Sequence, residues 1–287
     1  MKTGEEQYLE LAYKATWKGR IVKNERTNQD CSVIIGESMI YDTSKGHLPV
    51  LTTKKTFWKP AIAEMLGYLR GYNNAAQFRK LGCNTWDANA NENVDWLCNP
   101  YRKGTDDMGY CYGQVGSKFR KPDGGYHNQW LKVIFDLTKG YDDRSEIVTF
   151  WHPGSFDEAC LKPCMHTHTF SLVNDDLYLN SAQRSADVPL GLPFNMIQVS
   201  WLLMIVAQIT GTRPAQAKHD LVNCHLYQDQ IAPMRDCQLL REPFEEPILK
   251  INPDIKTWHD LMTWVTLDDF QLENYRHHMP IKYAFSV

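Results

Sequence analysis

A cysteine in a polar setting is the first residue of this sequence that suggests chemistry. Cys164 lies in the stretch KPCMHTHTF, and Arg184 and Ser185 follow further along in QRSADVPLGLPFN. The thiolate is the reactive form of cysteine, and nearby cations or hydrogen-bond donors lower the pKa of the thiol. If the fold joins the two segments, the chain holds a nucleophile beside groups that suit an anionic substrate. The alternative is a buried structural thiol, the commoner state of a free cysteine.

The segment that begins near the cysteine is predicted to form a β-hairpin. Residues 167–173 and 176–182 alternate in polarity or favour strands, and the Asn-Asp pair between them is typical of a tight turn. A two-residue turn there places Cys164 opposite Ser185 and beside Arg184. A single bulge would shift this pairing by one residue.

Hydrophobic periodicity predicts the elements that surround the hairpin. Residues 195–210 are apolar nearly all round and end at Gly211, which predicts a buried helix with a glycine C-cap. Its polar residues leave it short of a membrane span. We also predict helices over 5–16, 61–69 and 130–137, strands over 31–40 and 147–151, and extended pieces over 49–53 and 280–287.

Two segments are less regular in sequence. Residues 84–110 are rich in loop formers, with Trp86, Trp96 and Tyr101 as possible aromatic anchors. The segment around His225 is too mixed for a secondary-structure prediction. There is no internal repeat or linker, so one domain is expected.

The composition restricts the class of protein. The chain has 287 residues, 43% hydrophobic and 23% charged, with a formal net charge of −3, which argues against nucleic-acid binding through bulk charge. The first ten residues are polar, without a signal-peptide pattern, so a cytoplasmic location is expected. The eight cysteines show no disulfide framework and are expected to be free thiols. The spacing of Cys160, Cys164, His166 and His168 matches no usual zinc pattern, so no metal site is expected.

Glu64 lies within the apolar set of a predicted helix. Ile62, Met65, Leu66 and Leu69 have helical spacing around it. Glutamate is almost never fully buried without a partner. From the residues alone, a solvated edge position is favoured over a buried acid with a catalytic task.

Taken together, these motifs resemble the thymidylate synthase family over nearly the full length of the chain. The segments that carry the resemblance are Glu25-Arg26-Thr27, Thr52-Thr53-Lys54-Lys55, Glu64, Trp86-Asp87, Tyr112-Gly113, Pro163-Cys164, Gln183-Arg184-Ser185, Asp187, the run Leu190 to Asn195, and His225-Leu226-Tyr227. The resemblance implies an α+β fold with helices around a large mixed β-sheet, whose face forms the interface of a homodimer. It implies a single catalytic domain over 1–287, with a loop insertion near 89–107.

The resemblance implies the reductive methylation of dUMP to dTMP. Cys164 would attack C6 of the uracil ring, and C5 would then accept a methylene group and a hydride from 5,10-methylenetetrahydrofolate, leaving dihydrofolate. Glu64 would act on proton transfers through water, and Tyr112 would assist removal of the C5 proton. No metal, membrane or nucleic acid is required.

The same resemblance assigns the binding residues. For the nucleotide they are Arg26, Arg184 and Ser185 at the phosphate with Arg144 from the partner subunit, Asn195 at O4 and N3 of uracil, His225 and Tyr227 at the deoxyribose hydroxyl, and Gln183. For the folate they are Lys54, Trp86, Asp187, Leu190, Gly191, Phe194 and Val287. Guanidinium groups suit phosphate, and an amide can both donate to and accept from the uracil edge.

Three positions depart from the commonest family pattern. Ser145 stands where most members have a second arginine, which puts one phosphate contact between subunits in question. Met165 replaces a histidine after the nucleophile, which affects the expected water network near Glu64. Asn89 replaces a tryptophan, which affects the folate pocket more than the nucleotide pocket.

Two other functions are weighed against methylation. A hydroxymethylase of the same superfamily would let water capture the methylene group, and Asn195 does not separate the two reactions on dUMP. Trp86, Tyr112 and the terminal valine favour methylation, because water must be excluded for hydride transfer. A non-catalytic binding protein is disfavoured by the complete set of candidate catalytic residues.

Overall fold

The computed structural model describes residues 1–25 and 28–284 of the chain. The predicted roles of Arg26 and Val287 therefore lie outside the described residues. The α-helices of the described part are α1 Gly4–Trp17, α2 Trp58–Leu69, α3 Ala75–Lys80, α4 Asp87–Asn91, α5 Val94–Leu97, α6 Gly113–Ser117, α7 Gln129–Thr138, α8 Gly191–Thr210, α9 Gln228–Asp236 and α10 Trp258–Thr263. Its strands are β1 Arg20–Asn24, β2 Gln29–Asp42, β3 Phe119–Arg120, β4 Tyr126–His127, β5 Ile147–Thr149, β6 Met165–Val173, β7 Asp176–Asp187, β8 Arg213–Tyr227, β9 Ile248–Ile251 and β10 Phe270–Glu273.

A six-stranded sheet organises the protein. Its strand order is β1-β2-β8-β7-β6-β5, and two small two-stranded sheets, β9-β10 and β3-β4, lie apart from it. The pairs are antiparallel except β7 and β8, which run parallel. The sheet is therefore mixed, and the predicted α+β fold with a large mixed sheet is confirmed.

The parallel pair depends on α8. Parallel neighbours need a crossover connection, and α8 supplies it between β7 and β8. The helix is buried almost all round and ends at Gly211 with φ +73°, as predicted. It begins earlier than predicted because Pro193 falls in its first turn, where the missing N–H costs no intrahelical hydrogen bond. Although α8 is long and apolar enough to cross a membrane, it is packed inside the protein.

The predicted hairpin forms, with one change of register. Val173 pairs with Asp176 across the Asn-Asp turn, as expected for a two-residue connection. Between Met165 and Thr167 the register shifts by one residue, because a bulge at His166 adds a residue to β6. The prediction that Cys164 lies opposite Ser185 is therefore wrong.

Most other predicted elements are present with slightly different bounds. The predicted helices 5–16, 61–69 and 130–137 correspond to α1, α2 and α7, and the predicted strands 31–40 and 147–151 to β2 and β5. The extended pieces have no helix or strand over 49–53 and 280–284. The unassigned segment around His225 is the end of β8.

The segment predicted as a long loop contains two short helices, α4 and α5. Trp86 and Trp96 are buried, as expected of anchors. Tyr101 is 54% exposed, so its prediction as an anchor is wrong. Arg79 holds the end of this segment through two hydrogen bonds to Asp106, of 2.7 and 2.9 Å.

Candidate active site

The candidate site lies where β7, α8 and β8 meet. Because β7 and β8 are parallel, their carboxyl ends reach the same edge of the sheet, and Asp187 pairs there with His225. The amino end of α8 starts at that edge, after Val188 N–H donates to the His225 carbonyl at 2.9 Å. The edge of a sheet at the carboxyl ends of parallel strands is a recurrent ligand-binding position. The chain order β7-α8-β8 thus gathers residues from three elements.

Cys164 stands just before β6 and is partly exposed. Its backbone N–H donates to the Tyr112 hydroxyl oxygen at 2.7 Å, so the cysteine and the candidate catalytic tyrosine are in contact. Burial, and then the nearby Cys164, raise the pKa of Tyr112 well above its usual value. The Tyr112 hydroxyl therefore keeps its proton at neutral pH and can donate it to a further acceptor.

The backbone of Tyr112 is strained. Its φ is +42°, a region that bulky residues rarely adopt and that costs of order 1–3 kcal/mol. The ring is stacked on Tyr68 at 4.7 Å and meets the edge of Trp86 at 5.3 Å. This aromatic packing fixes the ring, and the strained backbone directs the hydroxyl toward Cys164.

Arg184 lies directly across from the cysteine, where the bulge places it. Its backbone N–H donates to the Cys164 carbonyl at 2.9 Å. Its guanidinium donates from Nε to the Pro163 carbonyl and from Nη2 to the Lys162 carbonyl, both at 2.9 Å. A guanidinium has five N–H donors, so three remain for an anion. Arg184 therefore anchors the loop that carries the nucleophile and still offers a cation beside it.

Glu64 is turned into the protein from α2. Its Oε1 accepts a short hydrogen bond from the Thr85 hydroxyl, and its Oε2 accepts from Gln198 Nε2 at 2.6 Å. Burial raises the pKa of Glu64 against these hydrogen bonds, which lower it. Glu64 is half-buried rather than at a solvated edge, because Thr85 and Gln198, distant in the sequence, supply the hydrogen-bond partners that its carboxylate needs.

Asn195 lies in the second turn of α8 and is held on both sides of its amide. Its Oδ1 accepts from Gln183 Nε2 at 2.9 Å, and its Nδ2 donates to Gln198 Oε1 at 2.9 Å. Gln183 is buried on β7 and also accepts from His219 Nε2 at 2.8 Å. In this structure Gln183 therefore contacts the Asn195 amide and orients it.

A second polar cluster lies at the start of α8, on the side predicted for the folate. Asp187 Oδ1 accepts from the Leu190 N–H at 2.9 Å, and its Oδ2 from Gln230 Nε2 at 3.2 Å. Burial raises the pKa of Asp187. Lys54 is buried and donates to the Pro189 carbonyl at 2.5 Å, and burial lowers its pKa to about 8.

The remaining predicted residues occupy different places. His225 and Tyr227 are largely buried at the end of β8, with ring centroids 5.3 Å apart. Ser185, Gly191 and Phe194 are partly exposed at the same edge. Arg144 is exposed in a turn with φ +71°, and no contact joins it to this edge within the described chain. Among the described residues, no group of three or more His, Cys, Asp or Glu side chains is arranged to hold a metal ion.

Sequence reasoning missed two residues that hold the site together. Gln198 is fully buried between Glu64 and Asn195, and Thr85 binds the other oxygen of Glu64. The signal for Gln198 was its position three residues after Asn195, on the same face of a helix that is otherwise apolar. Thr85 carried no such signal, because it lies in an irregular segment.

The assembled groups suit covalent chemistry on a hydrogen-bonding anionic substrate. They comprise a thiol beside a guanidinium, a protonated tyrosine hydroxyl, a half-buried carboxyl with a raised pKa and an amide that can read a ring edge. A carboxyl of raised pKa and a tyrosine are suitable acid–base groups near neutral pH. The arrangement is that of a nucleophilic enzyme with two proton-transfer groups.

Comparison with known proteins assigns the family. The sequence profile of the thymidylate synthase family matches residues 6–287. The chain is 59% identical over 281 residues to the thymidylate synthase of Marinomonas sp. (strain MWYL1), covering 98% of this chain and 99% of the relative. It is 58% identical, with the same coverage, to the thymidylate synthases of Shewanella frigidimarina (strain NCIMB 400) and Vibrio vulnificus (strain YJ016).

These matches confirm the predicted function, thymidylate synthesis by a methyltransferase, and do not favour the hydroxymethylase. They extend over the segments that carry the nucleophile, the acid and the amide described above. The chain belongs to the thymidylate synthase family.

Proposed function

We propose that the site around Cys164 methylates C5 of dUMP, with 5,10-methylenetetrahydrofolate as co-substrate. The contact between Tyr112 and Cys164 carries this proposal, because it joins a nucleophile to a proton-transfer group. The Cys164 thiolate forms a bond to C6 of the uracil ring, and C5 becomes the nucleophilic carbon. The folate supplies the one-carbon unit and the hydride, and the cysteine leaves at the end.

The nucleotide residues act by orientation. Arg184 directs its free guanidinium donors, together with the Ser185 hydroxyl, at the phosphate, which suits the fork geometry of a guanidinium. Asn195 reads O4 and N3 of uracil with the amide atoms that its neighbours leave available. His225 and Tyr227, at the end of β8, bind the deoxyribose hydroxyl. Arg26 is a further proposed phosphate residue.

Two groups move protons. Tyr112 keeps its proton and shares its hydroxyl oxygen with the Cys164 N–H, so it can relay the proton lost from C5. Glu64, with a raised pKa, exchanges protons with the C4 oxygen of the ring and with the folate through water. Positioning at hydrogen-bond distance is what makes such transfers efficient.

The folate side of the site is built from Asp187, Lys54 and the start of α8. The Asp187 carboxyl is held by Leu190 and Gln230, and it can accept from the N–H groups of a pterin. Glu5 accepts from the backbone N–H groups of Thr52 and Thr53, which fixes the segment that leads to Lys54. Trp86, Gly191, Phe194 and Val287 are the other proposed folate residues, and together they exclude water from the hydride step.

We also propose that the protein is a homodimer joined through the open face of the large sheet. Ile35 on β2 and Val222 on β8 are 65% and 53% exposed, and the two strands are neighbours in the sheet. Large apolar side chains exposed on a sheet are typical of a surface covered by another subunit. A location in the cytoplasm and a single catalytic domain complete this proposal.

We propose that Arg144 has a role across that interface, and the hydrogen bonds of its turn support it. Asp142 Oδ1 accepts from the Arg144 N–H at 2.7 Å, and Asp143 Oδ1 accepts from the Ser145 N–H at 2.9 Å, so side chains of the turn bind its own backbone. Lys132 Nζ donates to the Ser145 hydroxyl oxygen at 2.8 Å. Ser145 thus supports the turn that presents Arg144, in place of a second arginine.

We expect Arg144→Ala to raise the KM for dUMP roughly tenfold to a hundredfold, the range for one charge-assisted hydrogen bond. Mixing it with a Cys164→Ala variant, under conditions of subunit exchange, should restore up to half of the wild-type activity at low dUMP. In the mixed dimer, one site has an intact Cys164 and receives Arg144 from the other subunit. Lack of any restoration in a demonstrated heterodimer would contradict the role of Arg144 across the interface.

The reaction itself is tested by product identity. The purified protein is incubated with dUMP and 5,10-methylenetetrahydrofolate, and both products are identified by mass. We expect dTMP and dihydrofolate in equal amounts, because the hydride comes from the folate. 5-Hydroxymethyl-dUMP with tetrahydrofolate would instead show that water captures the methylene group.

A further inference from the structure

Gln198 connects the two parts of the site that handle the pyrimidine. Its side chain is fully buried in α8. Its Oε1 accepts from Asn195 Nδ2 at 2.9 Å, while its Nε2 donates to Glu64 Oε2 at 2.6 Å and to the Ala61 carbonyl at 3.3 Å. One amide thus contacts both the residue that reads the base and the residue that moves protons.

The groups around Gln198 determine the orientation of its amide, that is, which side carries the oxygen and which the NH₂ group. The Ala61 carbonyl and the Glu64 carboxylate only accept hydrogen bonds, so Gln198 must turn its NH₂ group toward them. Its oxygen then faces Asn195, which must present Nδ2. On the other side, the Ser185 carbonyl accepts from Gln183 Nε2 at 2.8 Å, which turns the same NH₂ group toward Asn195 Oδ1.

The hydrogen bonds of this network all point in one direction. With Gln183 Oε1 as acceptor, His219 carries its proton on Nε2 and accepts from the Tyr41 hydroxyl on Nδ1, at 3.1 Å. Donation therefore runs from Tyr41 through His219, Gln183, Asn195 and Gln198 to the carboxylate of Glu64. If the Asn195 amide were flipped, its NH₂ group would face the NH₂ group of Gln183, and its oxygen would face the oxygen of Gln198.

The fixed orientation of the Asn195 amide matters for recognition of the base. One Nδ2 hydrogen of Asn195 binds Gln198, and the other remains to donate to O4 of uracil. One lone pair of Oδ1 binds Gln183, and the other remains to accept from N3–H. Cytosine has the opposite pattern, an N4 amino donor and an N3 acceptor, and would need the flipped amide.

We infer that Gln198 is a positioning residue that holds Asn195 in the sense that selects uracil over cytosine and couples it to the proton-transfer group Glu64. This inference rests on the proposed reading of the ring by Asn195. Without Gln198, Asn195 is held at one amide atom only and tilts out of the plane of the base. Glu64 also loses a donor to its charged form, which raises its pKa.

The test uses dUMP and dCMP as probes of the folded protein. In Gln198→Met, which keeps an unbranched side chain without the amide, we expect the ratio of the dCMP to the dUMP dissociation constant to fall by about tenfold. The acid limb of the kcat–pH profile should move up by about one pH unit. Isothermal titration calorimetry and steady-state kinetics measure the two quantities.

Gln208→Met is the matched control. Gln208 lies on the same helix and, like Gln198, donates from Nε2 to two acceptors, which here are the backbone carbonyls of Asn252 and Ile255, both at 2.9 Å. It is remote from Asn195 along α8, so the same substitution should leave the nucleotide ratio and the pH profile unchanged. If the loss of a helical glutamine acted only through the structure of the helix, both variants would show the same change in the nucleotide ratio and in the pH profile.

The Gln198→Glu variant separates the orientation of Asn195 from the effect on Glu64. It is also the variant to use if Gln198→Met does not fold. Its carboxylate oxygen still accepts from Asn195 Nδ2, so the dCMP/dUMP ratio should stay within about twofold of wild type. It also places a second carboxyl beside Glu64, so the acid limb should move up by about one pH unit or more. An unchanged ratio in folded Gln198→Met, or an unchanged acid limb in Gln198→Glu, would overturn the inference.

An Asn195→Ala variant separates this inference from the proposed function. If Asn195 reads the ring, Asn195→Ala loses most of the discrimination, and adding Gln198→Met to it lowers the ratio no further. If Asn195→Ala keeps the wild-type ratio, the proposed role of Asn195 is wrong, and the inference falls with it. If Asn195→Ala loses discrimination and Gln198→Met keeps it, only the role of Gln198 is wrong.

Discussion

Cys164→Ala is expected to lower kcat by roughly 10⁴-fold or more, because the covalent step then has no nucleophile. The bond from sulfur to C6 is what turns C5 into a carbon nucleophile, and an alanine methyl group cannot form it. Formation of dTMP, followed by mass or by dihydrofolate absorbance, measures the loss.

The same substitution should change dUMP binding only severalfold. The Cys164 N–H still donates to Tyr112, and the Arg184 guanidinium still binds the carbonyls of residues 162 and 163. Cys98→Ala, at an exposed cysteine, is the control and should keep full activity. Wild-type turnover in Cys164→Ala would refute covalent catalysis at this residue.

Glu64→Gln is expected to lower kcat by about 10²- to 10⁴-fold, the usual contribution of a positioned acid–base group. The geometry allows an amide in this place. Its carbonyl oxygen can accept from Gln198, and its NH₂ group can donate to the Thr85 hydroxyl. A loss of activity would therefore report the missing proton transfer. Glu245→Gln, at an exposed glutamate, should leave kcat unchanged.

The Glu64→Gln variant should also gain stability at neutral pH. Burial raises the native pKa of Glu64, so the native state binds its proton at a pH where the unfolded state has lost it. The stability that this group contributes is fully present below the unfolded pKa of about 4.3 and is lost as pH rises through the native pKa. Glutamine does not ionise, so the variant does not lose this stability as the pH rises.

Urea unfolding at several pH values measures this second effect. The free energy of unfolding of Glu64→Gln should exceed that of wild type at pH 7, and the difference should shrink toward pH 4. Reduced activity with increased stability would identify Glu64 as a residue kept for function rather than for folding. A variant that is less stable at pH 7 would contradict a raised native pKa.

The local parts of the structure follow from the sequence. The apolar run that precedes Gly211 predicts α8 and its end, because an all-round apolar helix must be buried and a left-handed C-cap favours glycine. The Asn-Asp pair predicts the hairpin turn, since these residues suit its backbone angles. Both are decided by residues within one element.

The position of the nucleophile depended on more than the local pattern. The hairpin prediction brought Cys164 to the strand that carries Arg184, but the bulge at His166 decided which residue faces it. A bulge changes the register by one residue without a clear signal in the strand pattern. The end of β8 was missed for a related reason. The strand carries the buried polar residues His219 and His225, which interrupt its apolar pattern, and His219 finds its partner Gln183 on β7.

The sequence by itself determined the chemical groups and, through resemblance, the family to which they belong. Only the tertiary structure decided how those groups are paired. Glu64 becomes a half-buried, hydrogen-bonded acid because Thr85 and Gln198 reach it from distant segments. The amide of Asn195 takes one orientation because two backbone carbonyls orient its neighbours. The physical reason is that helix and strand patterns are local, whereas the hydrogen-bond partner of a buried polar group is set by the packing of remote elements.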